Sequence, residues 1–294
     1  MLLTAAIEGF AVSLQANRRS PATVAAYRRD LGGLVRHAGD VDVSVLSRPM
    51  VQAFVASPAV QFLADGTPRA DLTVNRLKAA LRSFGDWLVD AGLQSANLAG
   101  GLDIRRTARR SPSFLTDAER KRMSREVASR KGTAAERDRV MLEVLLGTGI
   151  RLAELVGLDV GDVDLEGKRL TIHAKGGQTE TRFLNTDLRT LLRKYLRRRA
   201  EVPADTAALF LSNRDTRISA RQVQARFEQW LRWAGIDRAG LSVHSLRHTF
   251  GTRLYRKTHD LVLVGKAMGH RTIEATRVYV HDDVEALEDA LETL

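Results

Sequence analysis

The chain has 294 residues, 44% hydrophobic and 28% charged, which excludes a disordered or fibrous class; at roughly 150 residues per domain it has room for two cores. It contains no cysteine, which excludes disulfides, thiol catalysis and cysteine-zinc sites and makes an intracellular protein the simplest expectation. The net charge of +11 points to a polyanionic partner, of which nucleic acid is the commonest.

The N-terminus, "MLLTAAIEGFAVSLQANRR", carries its positive charge behind the apolar stretch, so it reads as an amphipathic helix of the mature chain and not as a secretion signal. No run approaches the roughly 20 apolar residues of a membrane helix, and a cytoplasmic location is expected. After this first helix, Leu2 to Arg18, a second opens at "SPATVAAYRRDLGGLVRHAG", where Ser20 offers an N-cap and Pro21 the first helical position. Val24, Tyr27, Leu31, Leu34 and Val35 recur there at helical spacing. A third helix is expected after Ser47 and a fourth through "LTVNRLKAALRSFGDWLVDAG". Residues 1–104 therefore read as an all-helical domain.

Residues 105–113, "RRTARRSPS", have a linker composition with a basic bias. Arg105, Arg106, Arg109 and Arg110 either belong to a solvated connector or lie along phosphates. Helices resume at "FLTDAERKRM", where Thr116 and Glu119 have capping-box spacing, and continue through "RDRVMLEVLLGTG". The segment "VDLEGKRLTIHAKGGQTETRFLN" then offers β-branched runs around Gly167 and around Gly176-Gly177, the pattern of a small antiparallel sheet. Helices return from Asp187. Residues 114–294 thus read as mainly α with a small β insert.

Several residues of this second region have two readings each. Arg151, in "TGIRLAEL", sits beyond a glycine break at a helix start, where it either meets an anion or pairs with Glu154. Lys175 is one of eight lysines against 38 arginines; unlike arginine, it can act as a general acid, although turns often carry lysine anyway. In "HSLRHTFGTRLY", His244 and Arg247 share a helix face and suit a phosphate oxygen, unless His244 merely caps that helix. His244 and His248 have the spacing of a metal pair, but no carboxylate stands in the pattern of a zinc hydrolase, so no metal is expected. In "MGHRTIEATRVYVH", Gly269 permits a turn and Thr272 a cap, and Tyr279 alone reads as a core aromatic. Together the set has a chemical logic: metal-free attack on a phosphodiester needs cations at the non-bridging oxygens, a proton donor for the leaving alcohol and a nucleophile.

These residues, in this order, resemble the tyrosine recombinase (phage integrase) family, from about "FLTDAER" to "YVH", with a looser match of the N-terminal helices to that family's core-binding domain. The matching positions are Arg151, Lys175, His244, Arg247, His270 and Tyr279. The sequence departs from the family pattern at the longer hairpin "KGGQTETR", at Met268 before the Gly-His pair and at Gly265.

The resemblance implies a site-specific recombinase in which Tyr279 attacks a DNA phosphate, forming a 3′-phosphotyrosyl bond. Arg151 and Arg247 would bind the non-bridging oxygens, Lys175 protonate the leaving 5′-oxygen, His244 assist proton transfer at the tyrosine and His270 donate to the phosphate. It implies no cofactor, metal or ATP, since the covalent link conserves the energy of the broken bond. A Xer-like two-domain architecture on double-stranded DNA is expected, without an additional N-terminal domain, in a prokaryote, phage or mobile element. Arg69, Arg76, Lys78 and Arg82 are available to phosphates or groove edges.

The last segment, 282–294, has six acidic residues and an apolar stripe of Val284, Leu287 and Leu291 that must pack on protein. It folds back on its own domain or, as the resemblance implies, docks on a neighbouring protomer of a homo-tetramer. Two other readings are a non-catalytic DNA-binding protein of the same fold and a tyrosine-type topoisomerase. Neither the DNA site, nor accessory proteins, nor the choice among dimer resolution, integration and excision is legible.

Overall fold

The computed structural model describes residues 1–104, 113–173, 179–203 and 206–269, together with Thr272, Thr276 and Tyr279. The chain divides into two compact units, Met1–Arg109 and Arg110–Leu294. The described residues form a mainly α protein with one small antiparallel sheet, as expected.

The first unit is built from α1 (Leu3–Ala16), α2 (Pro21–Ala38), α3 (Arg48–Ala56), the single turn α4 (Pro58–Gln61) and α5 (Asp71–Asp90). Helix α2 starts where its sequence dictates: Ser20 Oγ accepts from the Thr23 backbone N–H, and Pro21 supplies a preset φ where no N–H partner exists. Its apolar face, Val24, Leu31 and Leu34, joins Leu3, Ile7 and Phe10 of α1 and Leu81, Phe84 and Leu88 of α5 in one core. Phe10 is central, stacked on Tyr27 and tilted against Phe84 and Trp87. Such aromatic contacts add about 0.5–1.5 kcal/mol each beyond area burial. Asp30, on α2 and nearly buried, is held by the Nε and Nη2 of Arg76 from α5 at 3.0 and 2.9 Å.

The second unit contains α6 (Asp117–Ala128), α7 (Thr133–Thr148) and the short α8 (Leu152–Gly157), then strands β1 (Val163–Asp164), β2 (Arg169–His173) and β3 (Thr179–Phe183). Helices α9 (Thr186–Ala200), α10 (Ala220–Trp233), α11 (Val243–Thr258) and α12 (Leu261–Met268) follow. The capping box of Thr116 and Glu119 opens α6 as its spacing predicted. The strands pair antiparallel in the order β1-β2-β3, with Leu170 opposite Arg182 and Ile172 opposite Glu180. Alternation buries Leu170 and Ile172 and leaves Arg169 and His173 outside.

Helix α7 is apolar nearly all round: Val140, Met141, Leu142, Val144, Leu145 and Leu146 are all buried. A helix of that kind belongs in the centre of a fold. It packs against α6, α9 and α11, and this central position fixes what its C-terminal end presents.

Candidate active site

Helix α7 ends at Gly149, which adopts φ +63° and ψ 20°, the left-handed cap that closes a helix and turns the chain. A side chain there would run into the Phe250 ring, so this position requires glycine for space as well as for φ. The turn delivers Arg151 to the start of α8. Glu154, three residues on, accepts from the Arg151 backbone N–H and from its Nη1, both at 2.7 Å. Burial opposes ionisation of Glu154, but the Arg151 N–H, its guanidinium and the charge of Arg247 outweigh it, and the carboxyl sits below its usual value. The pairing of Arg151 with Glu154 therefore exists, and it orients a guanidinium that stays 42% exposed and accessible to an anion.

Arg247, on α11, is only 6% exposed. Its Nη1 donates to the Gly149 carbonyl at 2.5 Å and its Nη2 to the Met268 carbonyl at 2.7 Å. Both acceptors lie at helix C-termini, of α7 and α12, where unsatisfied carbonyls and the helix dipole favour a cation. Burial first, and the neighbouring Arg151 second, hold its pKa down to about 10, so it stays charged at neutral pH. His244, one turn earlier and solvent-accessible, is kept below the usual histidine value by the protein around it, then by Arg247 and Arg151. The helix itself is anchored by Thr249, whose hydroxyl donates to the Ser245 carbonyl and accepts from the Leu115 backbone N–H.

Tyr279 is buried, at 3% exposure, against Val264, Met268, Phe250, Leu254 and Tyr255. Gly251 of α11 makes the room: a Cβ there would stand 2.6 Å from the tyrosine Cζ and 2.8 Å from Met268 Sδ. Burial pushes the phenol up to about 12, and the charges of Arg247 and Arg151 pull it back only in part. Its Oη lies 3.3 Å from Nδ1 of His248.

Arg151, His244, Arg247 and Tyr279 thus converge. Lys175, His270, Arg105, Arg106, Arg109, Arg110 and the segment 282–294 lie outside the described residues. What is described flanks two of them: Glu180 and Arg182 of β3 form an ion pair at 2.5 Å, and a side chain at Gly269 would collide with both. The hairpin strand that follows Lys175 thus abuts the turn that precedes His270.

The four cations of the first unit proposed for DNA have protein partners. Arg69 donates to the carbonyls of Ala59, Val60 and Phe62, each at 3.1 Å. Lys78 and Arg82 hold the carbonyls of Asp103 and Leu102, and Arg76 holds Asp30. Periodicity places a basic residue on a helix face but does not register the carbonyls that a neighbouring segment brings to it.

Sequence reasoning took Glu154 only as an ion-pair partner of Arg151, weighed His248 only as a metal partner of His244, and did not use Gly251. The signal for Gly251 was present: glycine inside a helix costs about 1 kcal/mol and marks close approach of another group. Among the described residues no three His, Asp or Glu side chains gather as metal ligands, and no helix is long and apolar enough to cross a membrane.

A mainly helical unit brings two arginines, a histidine and a buried tyrosine together, the set that the resemblance to the tyrosine recombinases, a DNA-breaking and rejoining class of enzyme, leads one to expect. Comparison with known proteins agrees. Residues 113–286 match the phage integrase family and residues 7–92 its N-terminal SAM-like domain. The chain is 35% identical over 268 residues to tyrosine recombinase XerC of Salmonella typhi, covering 91% of this chain and 87% of that one. It is 33% identical to XerC of Serratia marcescens over 96% and 91%. In fold it is similar to the XerH site-specific recombinase bound to palindromic difH substrate, with a TM-score of 0.74 at 21% identity over 91% and 78% of the two chains. It is also similar to a lambda integrase tetramer bound to a Holliday junction, with a TM-score of 0.73 at 16% identity over 95% and 77%. The chain belongs to the phage integrase family and is a tyrosine recombinase.

Proposed function

We propose that Tyr279 is the nucleophile that cleaves one DNA strand. Its Oη forms a bond to phosphorus as the bond to the 5′-oxygen breaks, leaving a 3′-phosphotyrosyl link and a 5′-hydroxyl. Arg151 and Arg247 take the non-bridging oxygens, Lys175 protonates the departing 5′-oxygen, His244 assists removal of the phenol proton and His270 donates to the phosphate. Attack by a new 5′-hydroxyl reverses each bond change, so rejoining consumes no ATP. The observation that carries this reading is that Arg151 and Arg247 neighbour both the Tyr279 phenol and the His244 imidazole, so that one pair of guanidinium groups is shared by the two.

Domain roles follow. Residues 1–104 act as a DNA-holding domain, 105–113 as a basic linker whose Arg105, Arg106, Arg109 and Arg110 track phosphates, and 114–294 as the catalytic domain. DNA contact by Arg76 uses the part of its side chain, 44% exposed, that Asp30 does not cover. Contact by Arg69, Lys78 or Arg82 requires sharing donors with the carbonyls they now hold. The acidic segment 282–294 docks on a neighbouring protomer of a homo-tetramer in the cytoplasm. Among the similar solved structures, the XerH complex with difH supports DNA binding and the lambda integrase tetramer on a Holliday junction supports a tetramer.

The test is a nicked suicide duplex recovered by the protein from a randomised pool. Wild type forms a covalent adduct that Tyr279→Phe lacks, and two copies of the recovered site recombine. Adduct formation without recombination favours a topoisomerase; binding without an adduct sinks the nucleophile. Deleting 283–294 lowers tetramer assembly on that DNA and spares single-site binding.

A further inference from the structure

No step above uses His248, yet the Tyr279 hydroxyl rests on it. Its Nδ1 stands 3.3 Å from Oη, and the two rings lie 5.8 Å apart between centroids at 47°. The placement follows from α11. His248 comes one turn after His244, next to Arg247 and three residues before Gly251, so the helix face that admits the tyrosine ring also carries the imidazole.

Among the described residues, the groups that face this imidazole include His244, Arg247 and Tyr279. Burial first, then His244 and Arg247, push its pKa down to about 4, so the ring is neutral at physiological pH. A neutral imidazole has one donor and one acceptor nitrogen. The phenol, raised to about 12, keeps its proton, and a protonated phenol is a better donor than acceptor. The bond therefore runs from Oη–H to Nδ1, which places the ring proton on Nε2.

We propose that His248 is a positioning residue for the nucleophile: as the Nε2–H tautomer it accepts the Tyr279 hydroxyl at Nδ1 and fixes where Oη stands beside Arg247. No proton is transferred to it; the hydroxyl keeps its hydrogen until a phosphate takes up the cations. The inference rests on Tyr279 as nucleophile. A ring that only fills space would do as well without nitrogen, and that difference is measurable.

The experiment uses the full chain and three variants. His248→Phe fills the volume without an acceptor, His248→Asn puts an amide oxygen near the place of Nδ1, and His248→Gln puts it near that of Nε2. Nitrogen-15 histidine spectra at pH 7 are expected to show His248 as the Nε2–H tautomer, with an Nδ1 resonance that moves in Tyr279→Phe. Adduct formation on the suicide duplex, measured in a single turnover, is expected to slow roughly tenfold in His248→Phe, the worth of one neutral hydrogen bond. DNA affinity stays unchanged, His248→Asn recovers most of the rate and His248→Gln does not. An Nδ1–H tautomer, an Nδ1 signal indifferent to Tyr279→Phe, or Phe and Asn variants of equal rate would overturn the proposal. The spectra need no DNA, so absence of an adduct from wild type removes the nucleophile reading while the hydrogen bond is still decided.

Discussion

The ring of Tyr279 lies against the bare Cα of Gly251, where a Cβ would come within 2.6 Å of Cζ and 2.7 Å of Cε1. Gly251→Ala gains about 0.5–1 kcal/mol of helix propensity and loses about 1–3 kcal/mol to overpacking. The balance is a net loss of up to about 2.5 kcal/mol, so the melting temperature falls by up to about 10 °C and the variant still folds. The tyrosine ring must also move, and adduct formation is expected to fall by about two orders of magnitude, the cost of misplacing a reacting atom by roughly 1 Å. Calorimetry beside single-turnover cleavage checks this; a wild-type cleavage rate would mean that the ring position is unimportant.

Glu154 is expected to matter through Arg151. Its two oxygens take the backbone N–H and the guanidinium separately, so Glu154→Gln keeps one oxygen acceptor for the helix start and loses the charge. Glu154→Ala loses both, at a cost of about 1–2 kcal/mol to folding from the lost cap alone. Gln should cleave faster than Ala, with both below wild type, and denaturant midpoints should rank in the same order.

Stability should fall at both ends of the pH range. Tyr195 and Tyr279 are both raised to about 12 from 10.0 by burial, Tyr195 with its hydroxyl donating to the Leu209 carbonyl. The stability from keeping these phenols protonated is complete below pH 10 and is lost as pH rises towards 12. On the acid side His248 is depressed to about 4 from 6.5, so its contribution is complete above pH 6.5 and is lost as pH falls towards 4. Urea midpoints against pH should show both limbs. His248→Phe should make the acid one shallower, leaving the share of His244 and Glu154, which are also depressed, and Tyr279→Phe should remove one late phenol from the ultraviolet titration.

Arg76 and Asp30 separate a folding role from a DNA role. Arg76→Ala leaves a carboxylate with 8% exposure without its two donors, and the first unit should lose about 1–3 kcal/mol. Replacing both residues by apolar ones of similar size should restore stability without restoring the positive charge. If Arg76 also touches a phosphate, the double variant folds normally and binds DNA with a salt slope shallower by about one. An unchanged slope in that variant would remove Arg76 from the DNA surface.

Much of this protein is local and was legible along the chain. The cap of Ser20 and Pro21, the box of Thr116 and Glu119 and the alternation of Leu170 and Ile172 depend on neighbours two to four residues away, so spacing alone specifies them. The order of Arg151, His244, Arg247 and Tyr279 was equally visible, since it is a property of the string. What spacing could not supply was which groups meet across the fold. Arg247 reaches carbonyls 98 and 21 residues away, Tyr279 meets His248 across 31, and Arg76 meets Asp30 across 46. Those distances along the chain carry no periodic signal, because they are set by how helices pack. Sequence therefore determined which residues this recombinase has available for the proposed reaction. Only tertiary packing decided that burial raises the Tyr279 phenol further above neutral pH, that helix ends hold Arg247 and that His248 stands beside the hydroxyl.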